Sequence, residues 1–131
     1  MSGGNEGGGD ARRDRGEAMF EIVYGGVVPL PPREGRSTYV TNTIERLFGE
    51  VWTREVLSIE QRRLLILGAV IALGEATIIE IQLRAALSKG ELSREQIEEL
   101  LIFMVNYVGY PRASTLQQVI QRVLADPPQS D

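Results

Sequence analysis

Between Leu57 and Arg112 the chain alternates helix-start signals with helix-stopping glycines, and this pattern admits little besides a stack of helices. Ser58-Ile59-Glu60-Gln61 and Ser93-Arg94-Glu95-Gln96 have the form of capping boxes. In such a box a serine oxygen and a glutamine side chain satisfy the open backbone donors of a first turn. Thr77-Ile78-Ile79-Glu80 reads as a third. Gly74 and Gly109 fall where helical periodicity stops, and Gly90 sits in the place for a left-handed closing glycine. The predicted helices are 58–73, 77–89 and 93–108.

Each has an apolar side. The first has almost no polar face after its opening turn and should be buried all round. In a chain of 131 residues that implies another subunit covering part of it. The second turns Ile78, Ile81, Ala85 and Leu87 inward. The third does so with Ile97, Leu100, Leu101, Met104, Val105 and Val108. Upstream, Val40, Ile44, Leu47, Phe48 and Val51 predict a helix over 38–51, weakened at its end by Gly49. Downstream, Pro111 suits the first turn of a last helix that carries Leu116, Val119, Ile120, Val123 and Leu124 and is closed by Pro127-Pro128. Five helices and no convincing strand pair make the fold class all-α.

The N-terminal region reads differently. Residues 1–18 are rich in glycine and charge and predict a disordered tail. Residues 19–36 are apolar but interrupted by Gly25-Gly26 and then by prolines, so they predict an extended arm packed on the chain's own helices or on a neighbouring subunit. A single domain over 37–126 and a short tail over 127–131 complete the organisation. The net charge of −4 is interspersed, which argues against a nucleic-acid groove. No signal-peptide h-region is present. The longest uncharged apolar run, Leu64 to Gly74, is about half the ~20 residues that span a bilayer. A cytoplasmic protein without membrane contact is expected.

The chain contains no cysteine and no histidine. Thiol chemistry, disulfides and thiolate metal sites are excluded, and the usual neutral-pH proton shuttle is missing. No phosphate loop, nucleophile elbow or metal-binding motif occurs, so neither a cofactor nor a metal is expected.

Four segments in order, FGEVWTREVLS, EQRRLLILGAVIALGEA, QLRAALSKGELSREQIEELL and YVGYPRAS, resemble the carboxymuconolactone decarboxylase family. That family shares its helical fold with the alkylhydroperoxidase D-like proteins. The resemblance runs roughly from Phe48 to Leu124 and implies a homo-oligomer, a trimer or hexamer. The peroxidase branch carries Cys-x-x-Cys at the start of the middle helix, a histidine four residues later, and a glutamate in the preceding helix. The matching positions are Glu75, Ile78, Gln82 and Arg63, so peroxidase chemistry is excluded. The decarboxylase branch keeps the histidine in a His-x-Arg segment, which here reads Gln82-Leu83-Arg84. Glutamine donates and accepts hydrogen bonds but carries no proton near neutrality.

Decarboxylation needs a cation for the carboxylate, an apolar pocket and a proton donor. The resemblance thus implies Gln82 at a pocket mouth, orienting a carbonyl, with Tyr107 or Tyr110 as proton donor. Arg62, Arg63, Arg84 and Arg112 are the candidate carboxylate clamps, since guanidinium matches carboxylate bidentately. Arg62 and Arg63 have an alternative role as partners of Glu60, Glu50 or a neighbouring subunit, and Tyr107 has one in simple packing. Trp52, beside Glu50, would wall the pocket or a subunit interface. Glu75 suits a helix start regardless of function, and Tyr24-Gly25-Gly26 has the composition of a backbone nest or lid. Two functions follow. One is a cofactor-independent lyase, decarboxylase or isomerase acting on a small cyclic carboxylate or lactone. The other is a non-catalytic homo-oligomer that binds a ligand or a protein.

Overall fold

The computed structural model describes residues 3–126, and the side chains from residue 8 onward. Among these residues all regular structure is helical. The chain forms two compact units, one up to Ile59 and one from Glu60 onward.

The first unit opens with α1, Gly3–Tyr24. This corrects the expectation of a disordered tail and an extended arm, and the reason lies in the glycines that suggested disorder. A Cβ on Gly16 would collide with the Ile44 carbonyl, and one on Gly49 would stand 2.7 Å from the Arg12 carbonyl oxygen. These glycines let two helical backbones touch, so tertiary contact stabilises a segment of poor intrinsic propensity. The contact buries Phe20, Val23, Ile44, Phe48 and Trp52. The rings interlock, with Phe20 and Phe48 edge to face at 5.2 Å and Phe48 and Trp52 stacked at 6.2 Å.

Only the later part of the expected arm is irregular. It returns Arg33 and Arg36 to Glu17 on α1, at 2.7 and 2.8 Å. Ser37 then caps α2, Thr38–Asn42, by accepting from the Val40 N–H at 3.1 Å. The helix continues without a break as a π-helical stretch, Thr43–Val51. The widened turn shows in the Trp52 N–H, which reaches the Leu47 carbonyl five residues back at 2.9 Å. The expected helix over 38–51 is therefore present, with a widening that its periodicity does not reveal.

The second unit contains nearly all of α3, Ile59–Leu73, together with α4, Ala76–Ser88, and α5, Arg94–Ala125. Gly74 and Gly90 have φ of 74° and 73° and close their helices with the paired backbone bonds of a Schellman turn. Behind Gly90, the Glu91 N–H reaches the Ala86 carbonyl at 2.8 Å and the Gly90 N–H reaches the Leu87 carbonyl at 3.2 Å. The Ser93–Gln96 capping box forms with both bonds. Gly109, at φ 83° and ψ 168°, breaks α5 into segments 94–108 and 110–125. The core joins Leu67, Val70 and Ile71 of α3 to Ile79 and Leu83 of α4 and to Ile97, Leu116, Val119, Ile120 and Val123 of α5.

The expectation about α4 is corrected. α4 starts after Glu75, before the Thr77 box, because the Gly74 turn already sets its first residue. Its inward face is consequently Ile79, Gln82, Leu83, Ala85 and Ala86, while Ile78 is 41% exposed. A different expectation, that α3 is buried all round with another subunit covering part of it, is not contradicted: within the chain Leu64, Leu65 and Leu73 are exposed. Among the described residues no helix is long and apolar enough to cross a membrane.

Candidate functional site

α3 and α4 meet in the second unit around a buried guanidinium. Arg63, early in α3, and Gln82, midway along α4, are the buried polar residues of the core, at 0% and 2% exposure. Arg63 Nη1 donates to Gln82 Oε1 at 2.6 Å. The other edge of the guanidinium faces Glu91, with Nε to Oε1 at 2.8 Å and Nη2 to Oε2 at 3.3 Å.

Local structure explains how Glu91 arrives there. Gly90 supplies the left-handed turn, and the next residue folds back over the end of α4. A two-pronged carboxylate on a guanidinium is a strong, directional pair, and in a dry place each charge depends on the other. The Glu91 side chain is only 7% exposed. Gln82 supplies the acceptor that the remaining guanidinium edge requires. The cluster therefore holds one cation and one anion in a fixed array, and its amide oxygen is already engaged by Arg63.

The other candidates lie elsewhere. Arg84 pairs with Glu80 at 2.9 Å and with Asp126 at 2.6 Å, and Arg122 reaches Glu80 at 3.1 Å. The hydrogen bond from Arg84, helped by one from Arg122, holds the Glu80 carboxyl below its ordinary range against the opposing effect of burial. Arg112 lies over Gly74, with Nη1 2.8 Å from where a Cβ would stand. Arg62 is half-buried on α3. Tyr107 and Tyr110 are 76% and 78% exposed, in contrast to the interior position of Gln82. Tyr107 rests against Phe103 at 5.2 Å.

In the first unit, Trp52 is buried against Phe48, and Glu50 pairs with Arg12 at 3.3 Å. Tyr24 packs on Phe48 at 5.8 Å, and Gly25-Gly26 forms the turn that ends α1. Glu75 is the N-cap residue of α4 and makes no side-chain capping bond.

Of the positions picked from the sequence, the structure joins Arg63 to Gln82. It adds Glu91, which sequence reading passed over. A signal for it existed: an acid directly after a helix-closing glycine, in a chain with an arginine on an otherwise apolar helix.

The carboxymuconolactone decarboxylase family model matches residues 39–121, well over half of the chain. A similar curated protein is 4-carboxymuconolactone decarboxylase from Acinetobacter baylyi, 29% identical over 86 residues. That match takes in 65% of this chain and 63% of the relative's length. With the helical fold and the ordered motifs already described, the family match leads to one conclusion: this chain belongs to the carboxymuconolactone decarboxylase family.

Proposed function

We propose that this chain is a homo-oligomeric binding member of its family, in which the positions of the proton-relay residues have become a structural pin. The observation that carries this reading is the Arg63 Nη1 to Gln82 Oε1 bond of 2.6 Å, closed on its far side by Glu91. A glutamine whose oxygen is held by a buried guanidinium neither carries a proton nor presents that oxygen to a substrate carbonyl. Assembly follows from apolar surface that the chain leaves uncovered. Leu64, Leu65 and Leu73 are exposed on α3, as are Ile102, Phe103, Tyr107 and Tyr110 on α5. Large apolar side chains left exposed on two helices of so small a domain suit an interface between copies. Light scattering should find a trimer or hexamer, and a monomer at micromolar concentration would defeat the assembly claim.

A second reading, a lyase, decarboxylase or isomerase acting on a small cyclic carboxylate or lactone, draws support from the named activity of the Acinetobacter relative. It also draws on Tyr110, a phenol beside a cavity at the α5 break. One assay separates the two. Purified protein is incubated with 4-carboxymuconolactone while lactone loss and CO2 release are followed. No release above the uncatalysed rate is expected. Turnover that falls in Tyr110→Phe or Gln82→Ala would establish the lyase instead.

A further inference from the structure

The carboxylate that meets Arg63 comes from a surface loop. The link between α4 and α5 is exposed at Lys89, Gly90 and Ser93, yet the Glu91 side chain turns inward and is only 7% exposed. The guanidinium it reaches is wholly buried. Glu91 thus connects a dry cation to a wet loop. Its backbone is held independently of that contact. The Glu91 and Leu92 N–H groups both donate to the Ala86 carbonyl, at 2.8 and 3.2 Å, and Leu92 packs on the core. The carboxylate, by contrast, is joined to the core through its two contacts with Arg63.

We infer that Arg63 is a carboxylate-binding site with Glu91 as its internal occupant, and that a small external monocarboxylate takes the place of Glu91 as that side chain rotates into solvent. The exchange is even in charge, since one carboxylate replaces another on the same fork of nitrogens. The buried cation is never left alone, which is the costly state of such a pair. The displaced carboxylate regains its hydration. Gln82 keeps its 2.6 Å bond from Nη1, so the guanidinium presents the same edge to either occupant. A glutamate side chain has the shape of propionate, and this sets the ligand class as a short aliphatic acid. A neutral amide of the same shape forgoes the charge-assisted bonds. The inference rests on the binding role proposed above and gives it a place and a ligand class. Oligomer size and lactone turnover are measured apart from it, so each reading can fail alone.

The test applies acetate to the full chain, because Glu91→Ala removes a fragment of acetate's size. Acetate should raise the urea midpoint of Glu91→Ala, while acetamide or chloride at the same concentration should not. Arg63→Met/Glu91→Leu, which lacks both charges, should not respond to acetate. Exchange itself is read from the NMR resonance of the Arg63 Nε–H. In the parent, acetate should shift this resonance to saturation. In Glu91→Gln, which keeps the side chain's shape without its charge, acetate should bind at least about tenfold more tightly, because a tethered charged competitor is gone. A parent resonance that acetate leaves in place would overturn the inference and make Glu91 a permanent partner of Arg63. Equal stabilisation of Glu91→Ala by acetamide would also overturn it, as would an undiminished acetate response in Arg63→Met/Glu91→Leu.

Discussion

Arg63 on α3 and Glu91 beyond α4 face each other through two nitrogen–oxygen contacts, 2.8 and 3.3 Å long, with both side chains almost wholly withdrawn from water. The pair ties the start of one helix to the end of the next, and Gln82 completes the guanidinium's bonding from α4. A buried ion pair of this kind adds little net stability compared with apolar residues, yet its halves cannot be removed singly without cost.

Glu91→Ala should therefore lower unfolding stability by about 3–5 kcal/mol, because it strands the Arg63 charge in the core. The double variant Arg63→Met/Glu91→Leu should lose much less. Urea denaturation of the two variants and the parent provides the comparison. A double variant as unstable as the single one would show that more than charge pairing holds this junction.

Two glycines inside α1 should respond oppositely to the same substitution. Gly16→Ala places a methyl group against the Ile44 carbonyl and should cost at least about 1–3 kcal/mol, with loss of helical dichroism from α1. Gly8→Ala meets nothing within 4 Å and should gain about 0.5–1 kcal/mol from propensity alone. Thermal melts of both proteins check the contrast, and equal effects would argue against close packing at Gly16.

Glu17 links acidity to the first unit. Hydrogen bonds from Arg33, and then from Arg36, pull its carboxyl from the ordinary 4.5 down to about 2, against the upward push of burial. A depressed folded-state pKa stabilises the native form above the unfolded value, and this contribution disappears as pH falls through the folded one. The stabilisation should be complete above about pH 4.5 and fade towards about pH 2. Glu17→Gln should remove that part of the pH slope. Parallel stability curves for parent and variant across this window would contradict the assignment.

Gly109→Ala should cost about 1–3 kcal/mol, since its φ of 83° and ψ of 168° lie where alanine is strained. Urea denaturation beside the parent reads the cost, and an unchanged midpoint would contradict it.

Much of the second unit is legible along the chain because its determinants are local. Ser93 and Gln96 cap a helix across a single turn, and Gly74, Gly90 and Gly109 close helices through their own backbone angles. The missing cysteine and histidine likewise exclude thiol and imidazole chemistry without reference to any fold. Gln82 could be singled out by its position in the family pattern, but its burial could not be read there.

What the tertiary structure alone decided rests on contacts between distant residues. Gly16 and Gly49 look like signs of disorder or weakness until helices lie backbone to backbone on them, and then they are the reason α1 exists. Glu91 looks like an ordinary turn acid until a guanidinium 28 residues upstream requires a partner in a dry core. Helical propensity and capping act within a turn or two, whereas close packing and charge burial depend on the whole neighbourhood. The chain therefore specified its helices locally, and only their packing brought Arg63 and Gln82 together as a buried hydrogen-bonded pair.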